Sequence, residues 1–265
     1  MAKKRVKPLG GRVITLEYNS KLLKGNPLGD PYVRQLDIWL PPGYDEGKSK
    51  GLGKRYPVLF DLVGYTGSGK SHTNWRNFDE NVPERAARLV HEKKMGECII
   101  VFPDCFTALG GNQYINSSAL GPYAHYLTKE LVPFVDKELR TLATRDHRGC
   151  FGKSSGGYGA MLHGMKYSKY WGAIANHSGD AYFDFIYRCD WPSVLDCLSS
   201  HRRRKRKSGV IEVSREERNC AIGFDDGRVS RFLRYVWSTN KLTTKSTATP
   251  IKISGAISKS LFKIE

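Results

Sequence analysis

The sequence predicts an α/β domain with a mainly parallel central sheet, and three observations carry that prediction. Pro57–Val63 (PVLFDLV) and Cys98–Phe102 (CIIVF) are unbroken apolar runs of strand length, the pattern of strands buried on both faces. Segments of helical periodicity alternate with such runs along the chain. Loops 64–71, 104–112 and 153–157, glycine-rich in part, follow the strands, and sites in sheets of this kind lie beyond the carboxyl ends of the strands.

Taken in order, Arg12–Tyr18 (RVITLEY) and Val33–Leu40 (VRQLDIWL) alternate apolar and polar residues. The turn signals Gly25-Asn26-Pro27 and Gly29-Asp30-Pro31 separate them, so they read as an antiparallel pair leading into Pro41-Pro42-Gly43-Tyr44. A Lys/Gly-rich loop at 47–55 precedes the first buried run. Asn81-Val82-Pro83-Glu84 has the form of a helix start, carried through Arg85–Lys94 to Gly96. Beyond Pro103-Asp104, the residues Tyr123, Leu127, Leu131, Val135 and Leu139 fall at helical spacing. Arg148–Gly152 predicts a short strand, Gly156–Tyr167 a helix and Trp171–Asn176 (WGAIAN) another strand. This rhythm implies right-handed crossovers.

Composition narrows the function classes. With 40% apolar and 11% aromatic residues the chain can build a packed core, which excludes a disordered protein. No apolar run approaches the ~20 residues of a membrane helix. Met1-Ala2-Lys3-Lys4-Arg5 is basic without an apolar stretch behind it, so no secretory leader is expected. The six cysteines (98, 105, 150, 189, 197, 220) lack Cys-x-x-Cys spacing and a histidine partner pattern. Free thiols in a reducing compartment, by default the cytoplasm, are therefore expected rather than a disulfide frame or a metal site. The net charge of +17 is concentrated late: from residue 201 onward there are 16 Lys/Arg against 6 Asp/Glu, so +10 of it lies in the last quarter. Arg202-Arg203-Arg204-Lys205-Arg206-Lys207 has the look of a nucleic-acid patch, weighed here against an exposed cap or linker face. Nucleic acid is not the expected partner.

Two motifs compete for the chemistry. Gly64-Tyr65-Thr66-Gly67-Ser68-Gly69-Lys70-Ser71 matches the phosphate-cradling pattern Gly-x-x-x-x-Gly-Lys-Ser and follows a buried strand. A P-loop must run directly into a helix whose N-terminus holds phosphate. Ser71–Asn77 shows no helical apolar period, and two antiparallel strands come before it. A nucleotide hydrolase at Gly64–Ser71 stays as the alternative. The second motif is Cys150-Phe151-Gly152-Lys153-Ser154-Ser155-Gly156-Gly157-Tyr158-Gly159-Ala160, with Gly-x-Ser-x-Gly at its centre. That spacing makes a sharp strand-to-helix turn that lifts a serine hydroxyl above the sheet, and the crowding there requires Gly152 and Gly156. Acyl transfer needs two backbone N–H donors, one from the residue after the serine and one from the loop after the third strand. Here these are Ser155 and the glycine-rich loop at Gly64-Tyr65.

Leu36–Tyr44 (LDIWLPPGY), Tyr56–Gly67 (YPVLFDLVGYTG), Val101–Asp104 (VFPD), Gly152–Ala160 and His177-Ser178-Gly179-Asp180 together resemble the putative-esterase family of α/β-hydrolases, which includes esterase D-like S-formylglutathione hydrolases, feruloyl esterases and mycolyltransferases. The stretches stand in family order over residues 12–200. The resemblance implies an α/β-hydrolase fold and hydrolysis of small-molecule carboxylic esters through an acyl-serine, without cofactor or metal. It implies Ser154 as nucleophile and the N–H groups of Tyr65 and Ser155 as oxyanion hole. The family's acid and base histidine fall downstream, near the last two strands, yet no histidine follows His201. His177, at a strand end, is the substitute base to weigh against a packed strand-end residue. Asp180 reads as a helix start, weighed against a residue that orients a base; Asp104 reads as a loop-shaping residue, and His72 as a histidine without an assigned acid. The expected division is an α/β-hydrolase core at 1–200 and, at 201–265, a basic remnant of a helical cap plus an irregular tail. Gly227–Trp237 supplies the amphipathic part of that cap. With its last strands missing, the sheet would keep a bare edge that favours self-association.

Overall fold

A computed structural model describes residues 10–46, 53–118 and 120–186, together with 188, 192, 203–204 and 211–212. Six strands form the central sheet: β1 (Arg12–Asn19), β2 (Val33–Leu40), β3 (Val58–Leu62), β4 (Ile99–Phe102), β7 (Arg148–Lys153) and β8 (Ala173–His177). Their order is β1-β2-β4-β3-β7-β8. The β1–β2 and β2–β4 pairs are antiparallel, and β4, β3, β7 and β8 run parallel. The expected antiparallel entry into a parallel sheet is therefore present. Two two-residue strands, β5 (Asn116–Ser117) and β6 (Gly121–Pro122), form a separate hairpin, and β9 (Arg203–Arg204) pairs with β10 (Ile211–Glu212). Residues 213–265, and with them the amphipathic segment 227–237, lie outside the described residues.

Alternation along the strands divides the core into two layers. Ile38, Phe60, Leu62, Val101 and Cys150 face the larger one, under the helices that follow β4 and β7. Trp39, Ile100, Phe102 and Leu59 face the other, under α2 (Val82–His91). Asn81 starts α2 as the sequence predicts: its side chain accepts from Glu84 N at 2.8 Å while the Glu84 carboxylate accepts from Asn81 N at 3.0 Å. This reciprocal cap satisfies donors that the first helical turn cannot pair internally.

The long apolar period from Tyr123 to Leu139 forms helix, but not a uniform one. It comprises α3 (Tyr123–His125), a π-helical stretch (Tyr126–Leu131) and α4 (Val132–Glu138). Glu130 lies within the π stretch and is buried; its carboxylate accepts from Ser20 Oγ and from the backbone N–H groups of Lys21 and Leu22. These contacts are between residues about 110 positions apart, which explains why local periodicity missed them. The helix α5 (Ser155–Lys166) starts one residue earlier than predicted. Strand β8 starts later, because Trp171 packs into the core and donates its indole N–H to His163 Nδ1 at 3.1 Å. Among the described residues β8 forms one edge of the six-stranded sheet, and all five of its residues are exposed. Cys98, Cys105 and Cys150 are buried free thiols; burial pushes Cys98 and Cys150 up to about 12, so both are protonated at neutral pH. Among the described residues no helix is long and apolar enough to cross a membrane.

Candidate active site

The Gly-x-Ser-x-Gly stretch is a strand-to-helix elbow. Ser154 stands between the end of β7 and the first residue of α5 with φ 56° and ψ −123°, a left-handed conformation rare for a residue with a Cβ. Two contacts hold it there: Ser154 N–H donates to His177 O at 3.1 Å, and Ser154 O accepts Tyr158 N–H at 2.9 Å. The backbone of β3 presses against the same turn. A Cβ on Gly152 would lie 2.3 Å from Leu62 O, and one on Gly156 only 1.7 Å from it. The elbow glycines are thus required by a neighbouring strand as well as by the turn.

The loop after β3 meets the elbow directly. The Cβ position of Gly64 is 3.6 Å from Ser154 Cβ, so Tyr65 begins next to the serine. Tyr65 O accepts Gly111 N–H at 2.6 Å, and Tyr114 OH donates to Val63 O at 2.7 Å, anchoring the loop to the segment after β4. Ser155, buried at the first position of α5, has an N–H that no preceding helical carbonyl can accept. The three loops singled out from the sequence therefore converge at one end of the sheet.

The loop after β8 brings Asp180 to the serine itself. Asp180 Oδ1 accepts from Ser154 Oγ at 3.4 Å, and its other oxygen accepts from Ser155 Oγ at 3.2 Å and from Gln113 Nε2 at 3.3 Å. Asp180 is not a helix start, since α6 (Phe183–Ile186) begins three residues later. The only available hint was its position after His177-Ser178-Gly179, and that hint cannot be read without knowing where β8 ends. His177 joins the elbow through its carbonyl rather than its ring, and the residue is exposed.

Two further expectations are corrected. His72 has an acid partner: its Nδ1 lies 2.6 Å from Asp61 Oδ2, an aspartate 1% exposed on β3. The segment after Gly69 does form a helix, α1 (Lys70–Thr73), but only four residues long. Lys70 Nζ donates to Gln35 on β2, as a phosphate-cradling lysine would not. Asp104 behaves as expected, shaping its loop by accepting Phe106 N–H at 3.0 Å and pairing with the buried Arg34 at 3.2 Å.

A mainly parallel sheet with a strained serine at the strand-to-helix turn, backed by a glycine-rich loop, defines a serine-hydrolase scaffold of the α/β-hydrolase class. The chain belongs to the Putative esterase family, whose model matches residues 33–252. That match extends past the region 12–200 over which the motifs were recognised and covers the basic run.

Two Mycobacterium tuberculosis esterases are each 30% identical to it over 172 residues, 62% of this chain and 33% of theirs. The chain thus spans about a third of the length of these curated relatives. Among solved structures, a ferulic acid esterase has 26% identity and a TM-score of 0.50, covering 64% of this chain and 59% of its own. The Anaeromyces mucronatus ferulic acid esterase (20% identity, TM-score 0.51, 69% and 63% covered) shares the fold. So does the fluorophosphonate-binding serine hydrolase F of Staphylococcus aureus (16%, 0.52, 85% and 73%). Neither the nucleotide-hydrolase nor the nucleic-acid alternative gains support from these relationships.

Proposed function

We propose that this chain hydrolyses small-molecule carboxylic esters through an acyl-serine at Ser154. The observation that carries the reading is the left-handed Ser154, held by His177 O with the Gly64–Tyr65 backbone beside it. In the first step Ser154 Oγ attacks the ester carbonyl carbon and gives its proton to a base. The carbonyl oxygen becomes an oxyanion, and the N–H groups of Tyr65 and Ser155 stabilise it. Collapse expels the alcohol, which takes up that proton, and water then releases the acid by the same route. His177 is the base to test, adjacent to the elbow through its carbonyl. Neither cofactor nor metal enters these steps.

A fluorophosphonate probe is expected to label the wild-type chain at Ser154 and to leave Ser154→Ala unlabelled. Turnover of p-nitrophenyl acetate should vanish with the same substitution and fall about 10²- to 10⁴-fold in His177→Ala. Labelling of Ser154→Ala at the wild-type rate would refute the nucleophile, and undiminished turnover in His177→Ala would refute the base.

The same reading divides the chain into a core at 1–200 and a basic cap remnant with tail at 201–265. It places the protein in the cytoplasm, supported by the three buried free thiols. It also assigns self-association to β8, an exposed edge strand among the described residues, where another chain can add a strand. Sedimentation at rising concentration should show a dimer that Ile174→Lys, a charge placed on β8, converts to monomer. A wild-type chain monomeric throughout would remove that assignment.

A further inference from the structure

Asp61 and His72 are a buried acid and its partner that the ester chemistry above does not use. They sit at the two ends of one loop. Asp61 is the fourth residue of β3, and His72 belongs to α1, eleven residues later. Between them run Gly64, Gly67 and Gly69 together with Tyr65, whose N–H faces the developing oxyanion in the proposed reaction. A glycine-rich loop has many conformations to lose. An N–H donor displaced by even 1 Å loses much of its catalytic value.

The far end of this loop has little burial of its own. α1 is four residues long and buries none of them, and a helix so short is unstable in water by itself. Polar contacts fasten it, most of them from one face of the sheet, and Asn81 at the cap of α2 adds one by donating its Nδ2–H to Thr73 O at 3.1 Å. His72 Nδ1–H donates to Asp61 at 2.6 Å, Thr73 Oγ1 donates to Asp37 Oδ2 at 2.7 Å, and Lys70 donates to Gln35. Gln35, Asp37 and Asp61 share the face on which Trp39 and Leu59 pack under α2. Within the turn, Ser71 Oγ donates to Ser68 O at 2.7 Å, and Gly69 lies so close to β4 that a Cβ would come 2.3 Å from Phe102 O. The near end is pinned independently, by Tyr114 on Val63 O and Gly111 on Tyr65 O. Burial raises the Asp61 pKa, and His72 acts against that rise. A carboxylate 1% exposed is costly unless a partner answers it.

We infer that the Asp61–His72 pair, assisted by Thr73–Asp37, is a positioning clamp for the oxyanion donor. It closes loop 64–71 back onto the strand that launches it and so holds the Tyr65 N–H beside Ser154. The inference rests on the roles proposed for Ser154 and Tyr65; neither clamp side chain touches the reacting atoms. It also accounts for the Gly-Lys-Ser stretch that imitates a phosphate cradle, whose residues serve loop closure.

The test uses the full chain and two substitutions, with readouts that fail separately. In His72→Ala, hydrogen exchange of the amides in 64–70 should quicken at least about 10-fold while the rest of the sheet keeps its protection. The rate of fluorophosphonate labelling should fall about 10- to 100-fold, part of what loss of an oxyanion donor costs. His72→Asn, whose Nδ2–H can replace the Nδ1–H, should restore both. Unchanged exchange in His72→Ala overturns the clamp, and so does fast exchange with undiminished labelling. Protection lost evenly through the sheet makes the pair a general stabiliser and overturns the positioning role. If the wild-type chain is not labelled at Ser154, the reading of the site fails, and exchange in 64–70 alone decides the clamp.

Discussion

Gly156→Ala is expected to destabilise the fold by about 3–5 kcal/mol, at the upper end for a single added methyl. The new Cβ would stand 1.7 Å from Leu62 O and 2.9 Å from Val63 O. Both are backbone atoms of β3 or its exit, so no side chain can rotate away. Either α5 shifts off the sheet or β3 moves from β7, and each breaks the contact between Ser154 and the Gly64–Tyr65 backbone. A melting temperature roughly 10 °C below wild type, with no fluorophosphonate labelling of the surviving folded fraction, is the expected result. Gly96→Ala is the control: nothing lies within 4 Å of its Cβ position, so it should change stability by less than about 0.5 kcal/mol. A Gly156→Ala chain as stable as wild type would show that the elbow does not pack on β3 in this way.

Acid should weaken the fold through His163. This residue of α5 is fully buried, with Nε2–H donating to Tyr114 O at 2.9 Å and Nδ1 accepting from Trp171 at 3.1 Å. One ring nitrogen must therefore donate and the other accept, which only the neutral ring can do. Burial lowers its pKa from 6.5 to about 4, with the Tyr114 hydrogen bond opposing. The folded pKa lies below the unfolded one, so the unfolded chain binds the proton more readily between these values. The stabilisation is complete above about pH 6.5 and is lost as pH falls through 4, to a total of about 3 kcal/mol. Urea unfolding at intervals from pH 7 to 4 should show this loss in the wild type. His163→Gln should reduce it by roughly that amount, since glutamine can make both bonds without titrating. Equal pH slopes in the two chains would mean that His163 is not held neutral. The loss would also reach the site, because Tyr114 links α5 to Val63 O at the start of loop 64–71.

The alternation in 12–18 and 33–40, the apolar runs at 57–63 and 98–102, and the Asn81–Glu84 cap were enough to predict the strands and helix that the structure shows there. These features are local: a strand period of two or a cap at N3 is complete within a few residues. The elbow at 152–156 was legible for the same reason, and so was the role of Asp104. The π-helical stretch was not, because its register is set by Glu130 reaching the chain near Ser20. The contact of Asp180 with Ser154 was not legible either, because it depends on β8 ending at His177.

His72 shows the boundary most clearly. By itself it was a histidine in a loop without an acid, inside a stretch that imitated a phosphate cradle. The sequence alone determined that the chain is α/β and that Ser154 occupies a Gly-x-Ser-x-Gly turn, and it named Tyr65 and Ser155 as the expected oxyanion donors. Only the tertiary structure decided which face of the sheet Asp61 and Asp37 share, and hence that His72 and Thr73 close the loop onto it. The physical reason is that hydrogen bonds between strands and helices depend on which side chains the sheet order brings together, and sheet order is not a local property of the chain.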